Sequence, residues 1–340
     1  MATTTATTTE VRELAYGAAV TEAIAQLMRD DDRVFVAGED VAAYGGVFRT
    51  FSGLLDEFGP NRVVDTPISE QAIVGLGTGA AVAGLRPIVD VMFMDFMGVA
   101  MDQIMNQAAK LKYMFGGKAV VPLTITTWAG AGLGAAAQHS QSLEAFLCHL
   151  PGLKVVNPTT PHDMKGLLIA AVREPNPTIV IGNKRMLGVS GPVPTEMYEI
   201  PLGVAAVRRQ GGDVTVVGVG RMVPEALKAA DELAGEGIEC EVIDPRTLQP
   251  FDTATVVESA RRTNRIVIAH EAVRFGGIGA EIAAQIQEEA FDYLDAPVAR
   301  VGAPFAPVPF SPPLERSYVP DAAKIADEIR AVLGRPAPGS

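Results

Sequence analysis

The chain has 340 residues, 48% of them apolar and 20% charged, with a formal net charge of −12. That is core material for two domains of ordinary size, and the acidic balance argues against a nucleic-acid groove. No apolar run reaches the roughly 18–20 residues a bilayer span needs, and two distant cysteines, Cys148 and Cys240, form neither a disulfide framework nor a zinc site and point to a reducing cytoplasm.

The opening MATTTATTTE lacks a basic region followed by an apolar core, so residues 1–10 read as a disordered tail and not as a signal peptide. Apolar positions three and four apart in VRELAYGAAVTEAIAQLMR predict a helix over 11–29. RVFVAGED predicts a short buried strand running into a polar loop. AIVGLGTGAAVAGL predicts a buried helix whose small residues allow close packing. RPIVDVMF reads as a strand, 100–113 as a long helix, and VVPLTITTWAG and LKVVNP as further strands. PHDMKGLLIAAVRE is an amphipathic helix opened by proline, and TIVIGNK a strand.

The Gly- and Pro-rich stretch GVSGPVPTEMYEIPLG breaks the pattern, and residues 191–210 are assigned as a linker between units at 11–190 and 211–340. The second unit repeats the alternation: strand DVTVVGVG, helix 223–234, strand ECEVID, helix 252–262, strand RIVIAHE, helix 278–291, then a proline-punctuated tail ending in a helix near 321–333. Strands separated by helices imply parallel sheets covered on both faces, an α/β fold in two units.

Three glycine segments, GLGTGAAVAG, VGVGRMVPEAL and FGGIGAE, lie near helix starts. None completes a dinucleotide fingerprint with an acidic residue about 20 positions on, and none is a P-loop, so a one-chain dinucleotide dehydrogenase is the weaker reading.

Two polar positions stand out. In DTPISEQAIVG, Glu70 sits where a polar turn meets an apolar helix. Ser69 as cap and a carboxylate in the first turn would account for it without chemistry. In AQHSQSLEAFLCHLPG, His139 ends a Gly/Ala-rich loop, before a helix expected to be capped by Ser140 or Ser142. Small residues there let a ligand approach the backbone, and imidazole moves protons near neutral pH. His149, in the last turn of that helix, suits its terminal carbonyls. Asp102, Gln103, Asn106 and Gln107 interrupt an otherwise apolar helix, a mixture that suits a second chain.

Several stretches in order, GEDV…GGVF, RVVDTPISEQAIVG, GLRPIVDVMFMDF, DQIMNQAAKLKYMFGGK, AAAQHSQSLEAFLCHLPGLKVVNPTTPHDMKGLL and YVPDAAKI, resemble the β chain of thiamine-diphosphate-dependent 2-oxo acid dehydrogenases, the first component of pyruvate and branched-chain complexes and of acetoin dehydrogenase. The likeness runs from about residue 11 to 333. It implies a transketolase-like fold, with a pyrimidine-binding domain followed by a transketolase C-terminal-type domain. It also implies decarboxylation of a 2-oxo acid, or cleavage of acetoin, with the acyl unit passed to lipoamide.

By the same resemblance, Glu70 meets a ring nitrogen of the aminopyrimidine, His139 lies near the reacting carbon, and Phe96 and Met92 pack near the pyrimidine. Potassium positions map onto Leu123, Ala171, Val172, Glu174 and Asn176, with Glu174 where Asp is common. The family's G-D-G motif for Mg²⁺ and diphosphate has no counterpart here, so an α chain is expected to hold both in an assembly of two α and two β chains, with a lipoyl acyltransferase as further partner. TITTWAGAGLGAAAQHS lacks the Arg and Pro of many relatives, and pyruvate and acetoin both stay open. A β-like partner without chemistry of its own is the remaining alternative.

Overall fold

A computed structural model describes residues 10–335. The chain starts with β1 (Val11–Ala15) and α1 (Tyr16–Asp30), then β2 (Val34–Gly38), α2 (Leu54–Phe58), β3 (Val63–Asp65), α3 (Glu70–Val82) and β4 (Arg86–Val91). A 3₁₀ turn (Met94–Gly98), a π-helical stretch (Gln103–Ala108) and α4 (Leu111–Met114) lead to β5 (Thr124–Ala129). Then come α5 (Glu144–Cys148), β6 (Lys154–Val156), α6 (Pro161–Arg173), β7 (Thr178–Asn183) and β8 (Ser190–Pro194). The second unit runs β9 (Ala206–Arg209), β10 (Val214–Gly218), α7 (Met222–Ala234), β11 (Cys240–Asp244), β12 (Thr247–Gln249), α8 (Thr253–Thr263), β13 (Ile266–Val273), α9 (Ile278–Ala290), β14 (Ala299–Ala303), α10 (Pro312–Tyr318) and α11 (Ala322–Val332).

Among the described residues these strands form a seven-stranded sheet ordered β12-β6-β7-β5-β4-β2-β3, a five-stranded sheet ordered β14-β13-β10-β11-β9, and a β1-β8 ribbon. Parallel pairing dominates both large sheets; β12 and β9 are antiparallel edge strands. All six residues of β5 are buried, as a central parallel strand with both faces covered requires. One apolar cluster is continuous across the two units, joining Val89, Leu123 and Ile179 with Leu248, Val257 and Ile282. No helix of the described residues is long and apolar enough to cross a membrane.

Several expectations change. Residues 11–15 are not helix but an exposed strand held by β8, with Val11 opposite Pro194. Ladder pairing outweighs helical periodicity there, and β8 carries its prolines as edge strands do. The segment 191–210, expected to be linker, contains most of β8 and all of β9. The long helix at 100–113 is broken by the π-helical stretch and turn before Leu111. After His139 the helix begins only at Glu144, next to Leu143, with no serine cap. Residues 1–9 of the expected tail lie outside the described residues.

Candidate functional site

In an open parallel sheet, ligands sit beyond the carboxyl ends of the strands where the strand order reverses. Here β3 lies on one side of β2 and β4 on the other, so the reversal falls around β2. The chain segments leaving β2, β3, β4, β5 and β7 at that edge carry Glu39, Glu70, Phe93, His139 and Lys184.

Glu70 is the first residue of α3 and half-buried. Ser69 makes no capping hydrogen bond, contrary to expectation, so the acidic group of the first turn is Glu70 itself. Exposed helical N–H groups favour a carboxylate there. The Glu70 side chain makes no hydrogen bond or ion pair among the described residues.

Behind it lie two more carboxyl groups. Burial raises the Glu39 pKa, helped by the charges of Asp40 and Glu70. Burial pushes Asp90, on β4, up to about 7, with the Thr126 hydroxyl (2.7 Å) pulling it down and Glu39 adding to the rise. The Asp65 carboxylate at the end of β3 accepts the N–H groups of Ala42 and Ala43 at 2.6 and 3.0 Å, fastening the loop after β2.

The histidine half of the site is aromatic. The His139 ring stands edge-on to Phe93 (4.9 Å, 87°) and to Phe96 (5.3 Å, 81°), and those two rings meet at 5.7 Å. Lys184 donates to the His139 carbonyl and lies 5.2 Å from the centre of the Phe93 ring. Burial lowers the Lys184 pKa, against the pull of Asp95, Glu271 and Glu315. Asp95 accepts the backbone N–H (3.2 Å) and side-chain amide (2.8 Å) of Gln141, and the Leu143 N–H donates to Met94 Sδ at 3.2 Å. These bonds, rather than a serine cap, delay the helix to Glu144. Asp95 Oδ2, Ser140 Oγ and Thr66 Oγ1 are buried without a partner. Buried polar atoms of this kind are groups a ligand can satisfy.

The structure thus joins His139 with Phe96. Met92 is half-buried at the end of β4, directly before Phe93. Glu70 belongs to the carboxyl group on the β2 side and shares no hydrogen bond with His139. Sequence reasoning missed Glu39, Asp90, Phe93, Asp95 and Lys184. Only Asp90 left a clear signal, a charge inside an apolar strand.

The five potassium positions lie at the opposite edge, before β5 and β7 and at the end of α6. The carbonyls of Leu123, Ala171 and Val172 accept from Thr178 N–H (2.9 Å), Glu174 N–H (3.3 Å) and the Arg86 guanidinium (2.7 Å). Glu174 binds the Lys154 ammonium (2.7 Å) and the Asn176 amide, and Asn176 Oδ1 binds Lys112 (2.8 Å). Lysines thus hold Glu174 Oε2 and Asn176 Oδ1, two of the side-chain oxygens a cation would use there. The described residues contain no group of three or more His, Cys, Asp or Glu able to hold a metal.

Near Glu70 and along α3 several apolar side chains are exposed. Ile68 is 75% exposed, and Leu76 and Val82 on α3 and Val99 after the 3₁₀ turn are exposed as well. Exposed apolar area of this kind marks an interaction surface.

Comparisons with known proteins bear on the family of the chain. The family description "Transketolase, pyrimidine binding domain" matches residues 12–189, and "Transketolase, C-terminal domain" matches residues 203–325. The chain is 46% identical to the acetoin:2,6-dichlorophenolindophenol oxidoreductase subunit beta of Bacillus subtilis, covering 96% of this chain and 99% of that one. It is 46% identical to the pyruvate dehydrogenase E1 component subunit beta of Rickettsia felis, covering 92% and 96%. Among solved structures, a split gene transketolase, described as an inactive beta4 tetramer, superposes with a TM-score of 0.78 at 26% identity, covering 95% of this chain and 99% of that one. Both matched units occur in order and the relatives align over nearly the whole length, so the chain belongs to the transketolase-type family of pyruvate dehydrogenase E1 and acetoin oxidoreductase β subunits.

Proposed function

We propose that this chain is the β subunit of a thiamine-diphosphate-dependent dehydrogenase that decarboxylates a 2-oxo acid of the pyruvate type and passes the acyl unit to lipoamide on an acyltransferase. One observation carries the reading: an unpaired, half-buried carboxylate at a helix start shares a sheet edge with an imidazole set among aromatic rings. These residues fit the cofactor's aminopyrimidine, Glu70 for a ring nitrogen and Phe96 and Met92 for the flat ring. Unpartnered Thr66 Oγ1 and Asp95 Oδ2 supply further polar contacts at the same edge.

Thiamine diphosphate, when bound, supplies a nucleophilic carbon and an electron sink for the substrate carbonyl. Glu70 holds one proton between its carboxylate and the ring nitrogen. Burial raises the pKa of both Glu39 and Asp90, so less negative charge stands beside Glu70 than two ordinary carboxylates would place there. His139, steered by Phe93, Phe96 and the Lys184 bond to its carbonyl, hydrogen-bonds the substrate oxygen or the lipoyl group and delivers a proton there.

An α chain holding Mg²⁺ and the diphosphate would cover the exposed apolar side chains near Glu70. The name "subunit beta" borne by the relatives supports such a partner. Acetoin is the second substrate reading, because relatives named for acetoin match as fully as those named for pyruvate.

The test is an assay of the purified α/β pair with pyruvate, branched 2-oxo acids and acetoin, beside a Glu70→Ala pair. Turnover is expected to fall about 10²–10⁴-fold in the variant while the pair still assembles. Retained turnover would reject the assignment of Glu70.

A further inference from the structure

Two carboxylates of the second unit reach into the loop that carries His139. The loop leaves β5 at Gly130, and its neck is closed by the Gly130 N–H donating to the Gln141 carbonyl at 3.2 Å. Under the neck lies Glu271 of β13, only 8% exposed. Its Oε1 accepts the Ala131 N–H at 2.6 Å, and its Oε2 accepts the Asn183 amide at 2.9 Å. Asn183 ends β7, and the next residue, Lys184, holds the His139 carbonyl. At the outer part of the loop, Glu315 of α10 accepts the N–H groups of Gly132 (2.7 Å) and Gly134 (3.0 Å), while Arg185 donates to the Gly132 carbonyl at 3.0 Å.

Glu271 therefore reaches His139 by two routes, along the loop from Ala131 and across from β7 through Asn183 and Lys184. The fit is close. Gly130 has φ +97°, and a Cβ there would lie 2.5 Å from Asn183 Nδ2 and 3.1 Å from both Glu271 oxygens. Only glycine lets the carboxylate sit this near the neck. Arg221, 3.8 Å away, helps to balance the buried charge.

We propose that Glu271 is a positioning residue for the reaction: with Glu315 it lets the second unit fix where the 130–141 loop presents the His139 imidazole. This rests on the role given to His139 above. A carboxylate that merely pinned the two units together would affect stability and would act alike whether or not His139 is present. A positioning residue acts through the imidazole and loses its effect once the imidazole is gone.

The experiment is a double-mutant cycle in the assembled α/β enzyme, with Glu271→Ala, His139→Ala and both together. Thiamine diphosphate affinity and thermal midpoint are read for each. Displacing a catalytic group by about 1 Å costs about 100-fold, so E271A is expected to lower kcat about 10–100-fold with KM changed far less. Adding E271A to H139A is expected to slow the enzyme no further than about twofold, because the effects of residues that act as a unit do not add. E271Q keeps the shape and one acceptor, and is expected to fall between wild type and E271A. If E271A fails to assemble, E271Q carries the same cycle. Equal slowing in both backgrounds, or a wild-type kcat in E271A, would overturn the proposal while leaving the role of His139 intact. A wild-type rate in H139A alone would overturn that role and the proposal together.

Discussion

Asp90 shows what one residue can carry at this site. Its carboxyl group is 4% exposed inside a parallel strand, with the Thr126 hydroxyl as its hydrogen-bond partner. Burial moves its pKa from the ordinary 3.8 to about 7. Between those values the folded chain keeps a proton that the unfolded chain has lost, so this group's contribution falls as pH rises through the window and levels off above it. Asp90→Asn removes the titration. The variant is expected to be more stable than wild type by roughly 2–4 kcal/mol at pH 8, with the difference shrinking as pH falls and closing only near pH 4. Thermal unfolding at several pH values checks this, and parallel curves would refute it. The sequence made Glu70 conspicuous because it stands at a junction, and a histidine ending a small-residue loop was visible in the same way. Asp95 and Lys184 were not, because each matters only through a partner some 45 residues away, Gln141 for one and His139 for the other.

The helix α3 sets the depth at which Glu70 stands, and two of its glycines have opposite tasks. A Cβ on Gly77 would come within 2.7 Å of Val89 and 2.8 Å of Leu123, so this face lies tight against the sheet. Gly77→Ala is expected to destabilise by about 1–3 kcal/mol and to lower activity further by pushing Glu70 outward. A Cβ on Gly79 meets nothing within 4 Å. Gly79→Ala is expected to stabilise the isolated chain by about 0.5–1 kcal/mol, as an exposed helical glycine allows. Denaturant unfolding of the two variants gives opposite signs if the packing is as described. Strongly periodic elements were legible from sequence: helices expected at 223–234, 252–262 and 278–291 are Met222–Ala234, Thr253–Thr263 and Ile278–Ala290. Elements shaped by distant contacts were not. Residues 140–143 are held by Asp95 and Met94, and 11–15 by pairing with β8, and periodicity records neither kind of contact.

On the scale of the whole molecule the two units are joined by buried charge as well as by apolar contact. Arg208 on β9 donates to Asp163 on α6 and to Asp244 at the end of β11 (2.7 Å), and Arg246 also reaches Asp163 (3.3 Å). Burial pushes Asp163 upward, but His162, Arg208, Thr160 and Arg246 outweigh it and hold its pKa near 2. Its contribution is therefore present above the usual carboxylate range and is lost as pH falls toward 2. Arg208→Ala strands two buried carboxylates and is expected to cost about 3–5 kcal/mol, read by urea unfolding at neutral pH. The alternation of strands and helices made two α/β units legible, but nothing in composition marked how deeply they share structure. Strand β12, which pairs with β6, belongs by sequence to the later unit yet borders the earlier sheet. A nascent chain leaving the ribosome must therefore keep that flank open, its N–H and C=O groups bare to any stray strand, until β9, β10 and β11 have been synthesised. Severing the later half from the earlier one is expected to leave that flank uncovered and the earlier half prone to aggregate.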